Sequence, residues 1–261
     1  MTVVAVIPAR KGSRGIPSKN LQKVGGKSLI QRTIEHAQES KLITRILFTS
    51  DCPIMREIAH AHGAETIVRP PELATDDAKG DDVILHALES IGCTRMEPRD
   101  HLTVFLQPTS PLRTHGLIDE CVEQLQRDDR ADCLFTVTRG HFTWRHVEDN
   151  AYSGEWKTVP VVGSINSRMP RQAIPYEEML FHENGCVYVT RTAQLIISKN
   201  RVCGRIVLKT IQAEDAIDID TPYDLWLANA RANWLSGCVE PPQYRVRDDE
   251  TGPKLVEAAH G

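Results

Sequence analysis

Short apolar runs alternate with segments of helical period through the first half of the chain, and no other feature constrains the fold as tightly. Residues 3–7, 45–50, 64–68, 102–106 and 132–138 read as strands. Between them, 28–40 places Leu29, Ile30, Ile34 and Ala37 at helical spacing behind a capping Ser28. A second helix is expected behind Asp51 as its cap, with Pro53 in its first turn and an end near Gly63. Segments 80–91 and 118–125 read as two more helices. Repeated strand–helix alternation predicts an α/β fold, a mostly parallel twisted sheet with helices on both faces. Residues 139–180 break that rhythm with Trp144, Trp156, His141 and His146, and predict a hairpin-rich insertion whose aromatics cover a pocket or meet another subunit, or else simply pack. Strands resume at 187–189, 206–208 and 216–220, the last feeding a helix over 222–234. One domain over 1–234 is expected, followed by a polar, mobile tail over 239–261 that begins near Pro241-Pro242.

The loop after the first strand is the first chemical signal. Pro8-Ala9-Arg10-Lys11-Gly12-Ser13-Arg14-Gly15-Ile16-Pro17-Ser18-Lys19-Asn20 carries Arg10, Lys11, Arg14 and Lys19 within ten residues. Gly12 and Gly15 let the backbone turn and bring its N–H groups near an anion. In α/β sheets such a loop lies at the carboxyl edge, where ligands bind. A solvated basic surface is the plainer alternative; the position after a buried strand favours a polyphosphate pocket. Familiar nucleotide signatures do not fit. The loop lacks the third glycine of G-x-G-x-x-G, and Gly25-Gly26-Lys27-Ser28 has Leu21 where a P-loop needs its leading glycine.

Asp218-Ile219-Asp220 is the second signal. Residues two apart on an extended chain share a face, so the two carboxylates converge. They repel unless a cation lies between them, and hard oxygen ligands with room for water and phosphate favour Mg2+. A helix cap from Asp220 or Thr221, ahead of Pro222, accounts for one of these residues but not for Asp218. Gln107-Pro108-Thr109-Ser110-Pro111-Leu112-Arg113 also follows a buried strand and offers Gln107, Thr109, Ser110 and Arg113 to a polyol or carboxylate ligand, or else only a turn and a cap. Arg69, ahead of Pro70-Pro71, could reach a nucleotide or simply lead a rigid connection. Glu183-Asn184-Gly185 supplies a carboxylate, an amide and a close-approach glycine, with Arg171 upstream as a candidate carboxylate clamp.

Composition narrows the partners. A formal net charge of -4 argues against a general nucleic-acid binder, so a basic loop in an acidic protein points to a local anion site. The cysteines, at 52, 93, 121, 133, 186, 203 and 238, form no C-x-x-C pair and read as reduced thiols rather than a disulfide frame or zinc site. The apolar start ends at Pro8, too short for a signal sequence or membrane span, so a cytoplasmic protein without membrane partners is expected.

Together these segments resemble the acylneuraminate cytidylyltransferase family, the CMP-sialic acid synthetases and their relatives. The resemblance rests on Ile7-Pro8-Ala9-Arg10, Gly15-Ile16-Pro17-Ser18-Lys19-Asn20-Leu21, 106–113, Glu183-Asn184-Gly185 and Asp218-Ile219-Asp220-Thr221-Pro222, in family order over residues 3–234. It implies a nucleotide-diphospho-sugar-transferase-like fold and a homodimer built through 139–180. It also implies transfer of CMP from CTP to a nine-carbon 2-keto-3-deoxy sugar acid, with release of pyrophosphate. By that resemblance Arg10, Arg14, Lys19 and Asn20 hold the nucleotide, Asp218 and Asp220 hold Mg2+, and Gln107 and Arg171 face the acid; the reading of the residues adds Arg69 to the nucleotide site. It also adds Thr109, Ser110, Glu183 and Asn184 on the side of the acid, and Arg10, Lys19, Asp218 and Asp220 would carry the chemistry. Arg14 stands where many relatives carry Lys, a fork in place of a point charge. Nearby alternatives keep the fold and change the acceptor to legionaminic acid, pseudaminic acid or a phosphonate, or the nucleotide to GTP. A non-catalytic nucleotide binder is the alternative of another class, against which the paired carboxylates speak.

Overall fold

The protein's structure, a computed structural model, describes residues 2–13, 15–93, 96–140, 144–148, 156–161, 170, 173–175 and 178–237, with the backbone alone for 144–148 and 156–160. Strand β1 (Val3–Pro8) is followed by the two-residue strands β2 (Lys23–Val24) and β3 (Lys27–Ser28), then helix α1 (Leu29–Glu39). Next come β4 (Arg45–Ser50), α2 (Pro53–Ala61), β5 (Glu65–Val68), α3 (Gly80–Glu89), β6 (Leu102–Phe105) and α4 (Leu117–Arg127). Strands β7 (Cys133–Gly140), β8 (Trp144–Glu148), β9 (Trp156–Pro160) and β10 (Leu180–Arg191) lead to α5 (Thr192–Ser198), β11 (Ile206–Thr210) and α6 (Pro222–Leu235).

Seven strands form one sheet in the order β11-β7-β10-β6-β1-β4-β5. Every pairing is parallel except those of β10, which runs antiparallel to both neighbours. Period-two alternation on β1 explains the layers. Val3, Ala5 and Ile7 face the core shared with α1, α2 and α4, whereas Val4 and Val6 face α3 and α5. From β1 the chain builds outward through β4 and β5, then returns to lay β6 on the other side of β1. That reversal opens a crevice at the carboxyl ends of β1 and β6, the place where such sheets bind ligands.

Two expectations need correction. Residues 216–220 form no strand. Their link to the neighbouring loop is a single backbone bond, Ile219 N–H to the Thr109 carbonyl at 2.8 Å, and no ladder continues it. Asp51 does not cap α2. Cys52 takes that position, and the Asp51 carboxylate instead accepts the Lys11 backbone N–H at 2.9 Å, a bond that ties the basic loop to β4. Ser28 caps α1 as expected, accepting from Gln31 N–H. Gly25 and Gly26 have φ of 56° and 81° in the turn between β2 and β3, so the sequence that mimics a P-loop is a tight hairpin. Segment 141–179 leaves the sheet at Gly140 and returns at Leu180, which is paired with it; within it β8 and β9 form a separate antiparallel pair. The predicted tail over 239–261 lies outside the described residues. Among those described, six cysteines are unbridged, and no helix is long and apolar enough to cross a membrane.

His36 on α1 gives the fold a pH dependence. Its Nδ1 is enclosed without a hydrogen-bond partner, and burial, aided by the Arg113 and Arg32 charges, holds the imidazole down to about 3. The unfolded chain takes up that proton below about pH 6.5, whereas the folded one does not until about 3, so stability falls as pH drops through this window. Because part of the ring is exposed, we expect a loss of about 1 kcal/mol between pH 7 and pH 5. Denaturant unfolding of the wild type and His36→Gln at the two pH values checks this. The variant should show the shallower decline.

Candidate active site

The basic loop is held open from below. After Pro8, Ala9 N–H bonds the Thr49 carbonyl, and the buried Asn20 donates its amide to the Arg10 carbonyl at 3.2 Å. Ser18 adopts a left-handed conformation (φ 49°) that starts the short turn carrying Lys19 and Asn20. Ile16 and Ile219 are both buried with Val24, Leu29 and Leu112 in a small cluster beneath the loop. Full burial of one such side chain contributes about 1.5–3 kcal/mol, enough to fix the local backbone without a strand ladder. With Ile219 pointing into that cluster, Asp218 and Asp220 turn to the opposite side, toward solvent and the crevice. The expected convergence therefore holds although the predicted strand does not.

Gly15 joins the two halves of the site. A Cβ at this position would lie 2.2 Å from the Asp220 carbonyl oxygen, so the loop and the carboxylate segment meet backbone to backbone. Gly15→Ala should therefore push the two segments apart. We expect at least a tenfold loss of activity with a small change in melting temperature, checked by turnover and thermal unfolding of the same preparation.

A crevice of about 460 Å³ results, bordered by Arg10, Lys19, Arg69, Thr109, Asp218 and Asp220. Lys19 Nζ pairs with Asp220 Oδ1 at 2.8 Å, and Arg10 pairs with the Asp76 carboxylate. Arg69 is buried, with one Nη on the Thr49 carbonyl at 2.7 Å and Nε without a partner. Burial pulls its guanidinium down to about 10, with Arg10 pulling the same way against Asp51, so it remains a cation at neutral pH. Asp218 behaves in the opposite sense. Burial raises its carboxyl and the Asp220 charge adds to that, while the Thr109 hydroxyl and Lys19 partly offset it. A half-buried carboxylate beside another carboxylate fits a small divalent cation that accepts hard oxygen ligands and keeps its waters.

A second cavity of about 490 Å³ adjoins the first, and Gln107 and Asp218 border both. Glu183, Asn184 and Gly185 line it from a bulge in β10, where the register against β7 shifts between Glu183 and Tyr188. Gly185 has φ 70°, and a Cβ there would lie 2.5 Å from Gln107 Oε1. Asn184 Oδ1 accepts from the Thr136 hydroxyl and the Cys186 N–H, leaving its Nδ2 buried and unpartnered. The Glu183 carboxylate accepts the Tyr188 hydroxyl.

The structure thus brings Arg10, Lys19, Asn20, Arg69, Gln107, Thr109, Glu183, Asn184, Asp218 and Asp220 to the two adjoining cavities. Ser110 is fully buried beneath the loop and lines neither cavity. Arg113 does not face a ligand either; its buried guanidinium binds the carbonyls of Gln107, Ser110 and Cys186 and shapes the loop that presents Gln107. Arg14 and Arg171 lie outside the described residues. The sequence left Asp76, Tyr188, Arg201 and Asp224 unassigned among the neighbours of the site. Asp224 accepts the backbone N–H groups of Asp220 and Thr221, closing a capping box with Thr221 at the start of α6. The spacing Thr221-x-x-Asp224 was the readable signal for it.

Comparison with known proteins agrees with this geometry. The family model described as cytidylyltransferase matches residues 4–153. The chain is 31% identical over 227 residues to the N-acylneuraminate cytidylyltransferase of Escherichia coli O18:K1:H7, covering 87% of this chain and 51% of the relative. It is 28% identical over 233 residues to the CMP-N,N'-diacetyllegionaminic acid synthase of Legionella pneumophila, covering 86% of this chain and 93% of that one. The chain thus spans about half the length of the first of these relatives and nearly all of the second. In fold it is similar to the solved CMP:2-keto-3-deoxy-manno-octonic acid synthetase complexed with CTP, with a TM-score of 0.60 at 18% identity over 91% of this chain and 100% of the other.

Proposed function

Because this chain belongs to the cytidylyltransferase family, we propose that it transfers CMP from CTP to the anomeric hydroxyl of a sialic-acid-like 2-keto-3-deoxy sugar acid, releasing pyrophosphate. One observation carries the reading: Gly15 seats the cationic loop directly on the backbone of Asp220, so phosphate-binding and carboxylate groups share one crevice. A second cavity meets it at Asp218, which suits an acceptor that must present its hydroxyl to the α-phosphorus.

Arg10, Lys19 and Arg69 bind and orient the triphosphate, and their fixed charges stabilise the charge that gathers on the nonbridging and departing oxygens. Asn20 keeps the loop in place through the Arg10 carbonyl. Asp218 and Asp220 would hold Mg2+, which when bound neutralises phosphate charge and polarises the phosphoryl group. Gln107, Glu183 and Asn184 orient the acid, with Asn184 Nδ2 as a ready donor. Positioning and electrostatics carry the reaction, and no protein nucleophile is required. We further propose that the 139–180 insertion joins two copies into a homodimer, and that the enzyme works in the cytoplasm, where CTP is supplied.

Pyrophosphate release, screened with the four nucleoside triphosphates against N-acylneuraminic, legionaminic, pseudaminic and 2-keto-3-deoxy-octonic acids, tests the reaction. We expect release with CTP and one or more of these acids, dependent on Mg2+. No release with any pair would overturn the reading in favour of a nucleotide binder, and release with GTP alone would overturn the choice of base.

A further inference from the structure

Beyond the residues already assigned, the second cavity has one unexplained cation in its wall. Arg201, just after α5, borders it together with Glu183, Tyr188 and Asp218. Among the described residues lining this cavity it is the one positive charge, set against two carboxylates. Its setting is built rather than incidental. Asp81 at the start of α3 accepts both the Arg201 backbone N–H at 3.1 Å and one guanidinium nitrogen at 2.9 Å. The guanidinium carbon lies 4.7 Å from the Tyr188 ring centroid and 5.0 Å from that of Phe105, so two aromatic faces fix its plane. Nε is enclosed without a partner, and Tyr188, which helps hold the plane, is itself bonded to Glu183. A guanidinium has five donors, and Asp81 engages only one through the side chain.

An acid entering this cavity meets the charges of Glu183 and Asp218, and its own negative charge is repelled unless a cation answers it. We propose that Arg201 is an acceptor-binding residue that sets which acid the enzyme accepts, donating to a carboxylate or acyl oxygen of the sugar acid. This inference rests on the reading of the reaction given above. Asp81 and the two rings act as positioning groups that preorganise the fork before substrate arrives.

Steady-state pyrophosphate release by the full chain tests it, with CTP and acid varied separately. Arg201→Ala should raise the KM for the acid about tenfold or more, as loss of a charge-assisted hydrogen bond does, while the KM for CTP changes less than about twofold. Arg201→Lys should recover part of the loss. Asp81→Asn, which keeps the guanidinium but weakens its anchor, should give a smaller effect than Arg201→Ala. An N-acylated acid and one without acyl groups separate the two oxygens. An equal penalty on both marks the carboxylate, and a penalty confined to the first marks the acyl group. An unchanged acid KM in folded Arg201→Ala, or a joint rise in both KM values, overturns the inference. If Arg201→Ala does not fold, Arg201→Lys with wild-type acid KM overturns it equally. A wild type inactive with every acid overturns instead the reading of the reaction, and this inference with it.

Discussion

Asp220→Ala is expected to abolish Mg2+-dependent turnover while leaving the fold intact. The side chain is 72% exposed and, among the described residues, its ion pair is with Lys19. Exposed pairs of this kind contribute about 0–1 kcal/mol, and the backbone N–H of residue 220 still reaches Asp224 in the variant. Stability should therefore change little. Activity should not be spared, because the loss of several kcal/mol of charge stabilisation at phosphorus corresponds to about three decades in rate. A titration of pyrophosphate release against MgCl2, paired with thermal unfolding, checks both halves. Full activity would sink the metal assignment. Asp218→Asn is the informative companion, since it removes a partly desolvated charge repelled by Asp220 and should be at least as stable as the wild type while losing activity alike.

Arg10→Ala is expected to raise the KM for CTP about 10- to 100-fold, with a much smaller change in the KM for the acid. The estimate follows from one or two charge-assisted hydrogen bonds to phosphate, at about 1.5–3 kcal/mol in all. Folding should be indifferent, because Arg10 holds Asp76 at a partly exposed position and Asn20 bonds the Arg10 backbone rather than its side chain. Calorimetric titration with CTP measures this directly. An unchanged affinity would mean that the loop serves another ligand.

The layers of this fold were readable because each strand of the first half is a short apolar run between helices, and period-two alternation on β1 alone assigns the two faces. The carboxylate pair was readable for a weaker reason that still sufficed. Ile219 is buried in the cluster beneath the loop and the carboxylates on either side of it border the crevice, so Asp218 and Asp220 converge although 216–220 pairs with no strand. Hydrogen-bond destinations beyond the local caps at Ser28 and Thr221 were not readable. Asp51 has the composition of a cap yet serves Lys11, and Arg113 has the composition of a ligand contact yet is consumed by three carbonyls. Local sequence gives both outcomes equal standing, and the choice is made by segments tens of residues away. Arg201 escaped notice for the same reason, since Asp81 and Phe105, which hold it together with the nearer Tyr188, lie far from it in sequence.

Arg10 and Lys19 each meet an arriving ligand with a carboxylate already in hand, Asp76 and Asp220. On the function proposed above, the phosphodiester of the product, with one negative charge, would answer one of these cations but not both. The triphosphate of the proposed nucleotide would carry enough charge to answer both. When pyrophosphate departs, the single phosphate left in the product no longer bridges them, and the carboxylates can close back onto their cations. On that reading the resting ion pairs would favour product release, and the length of the phosphate chain would become a condition for holding the site open.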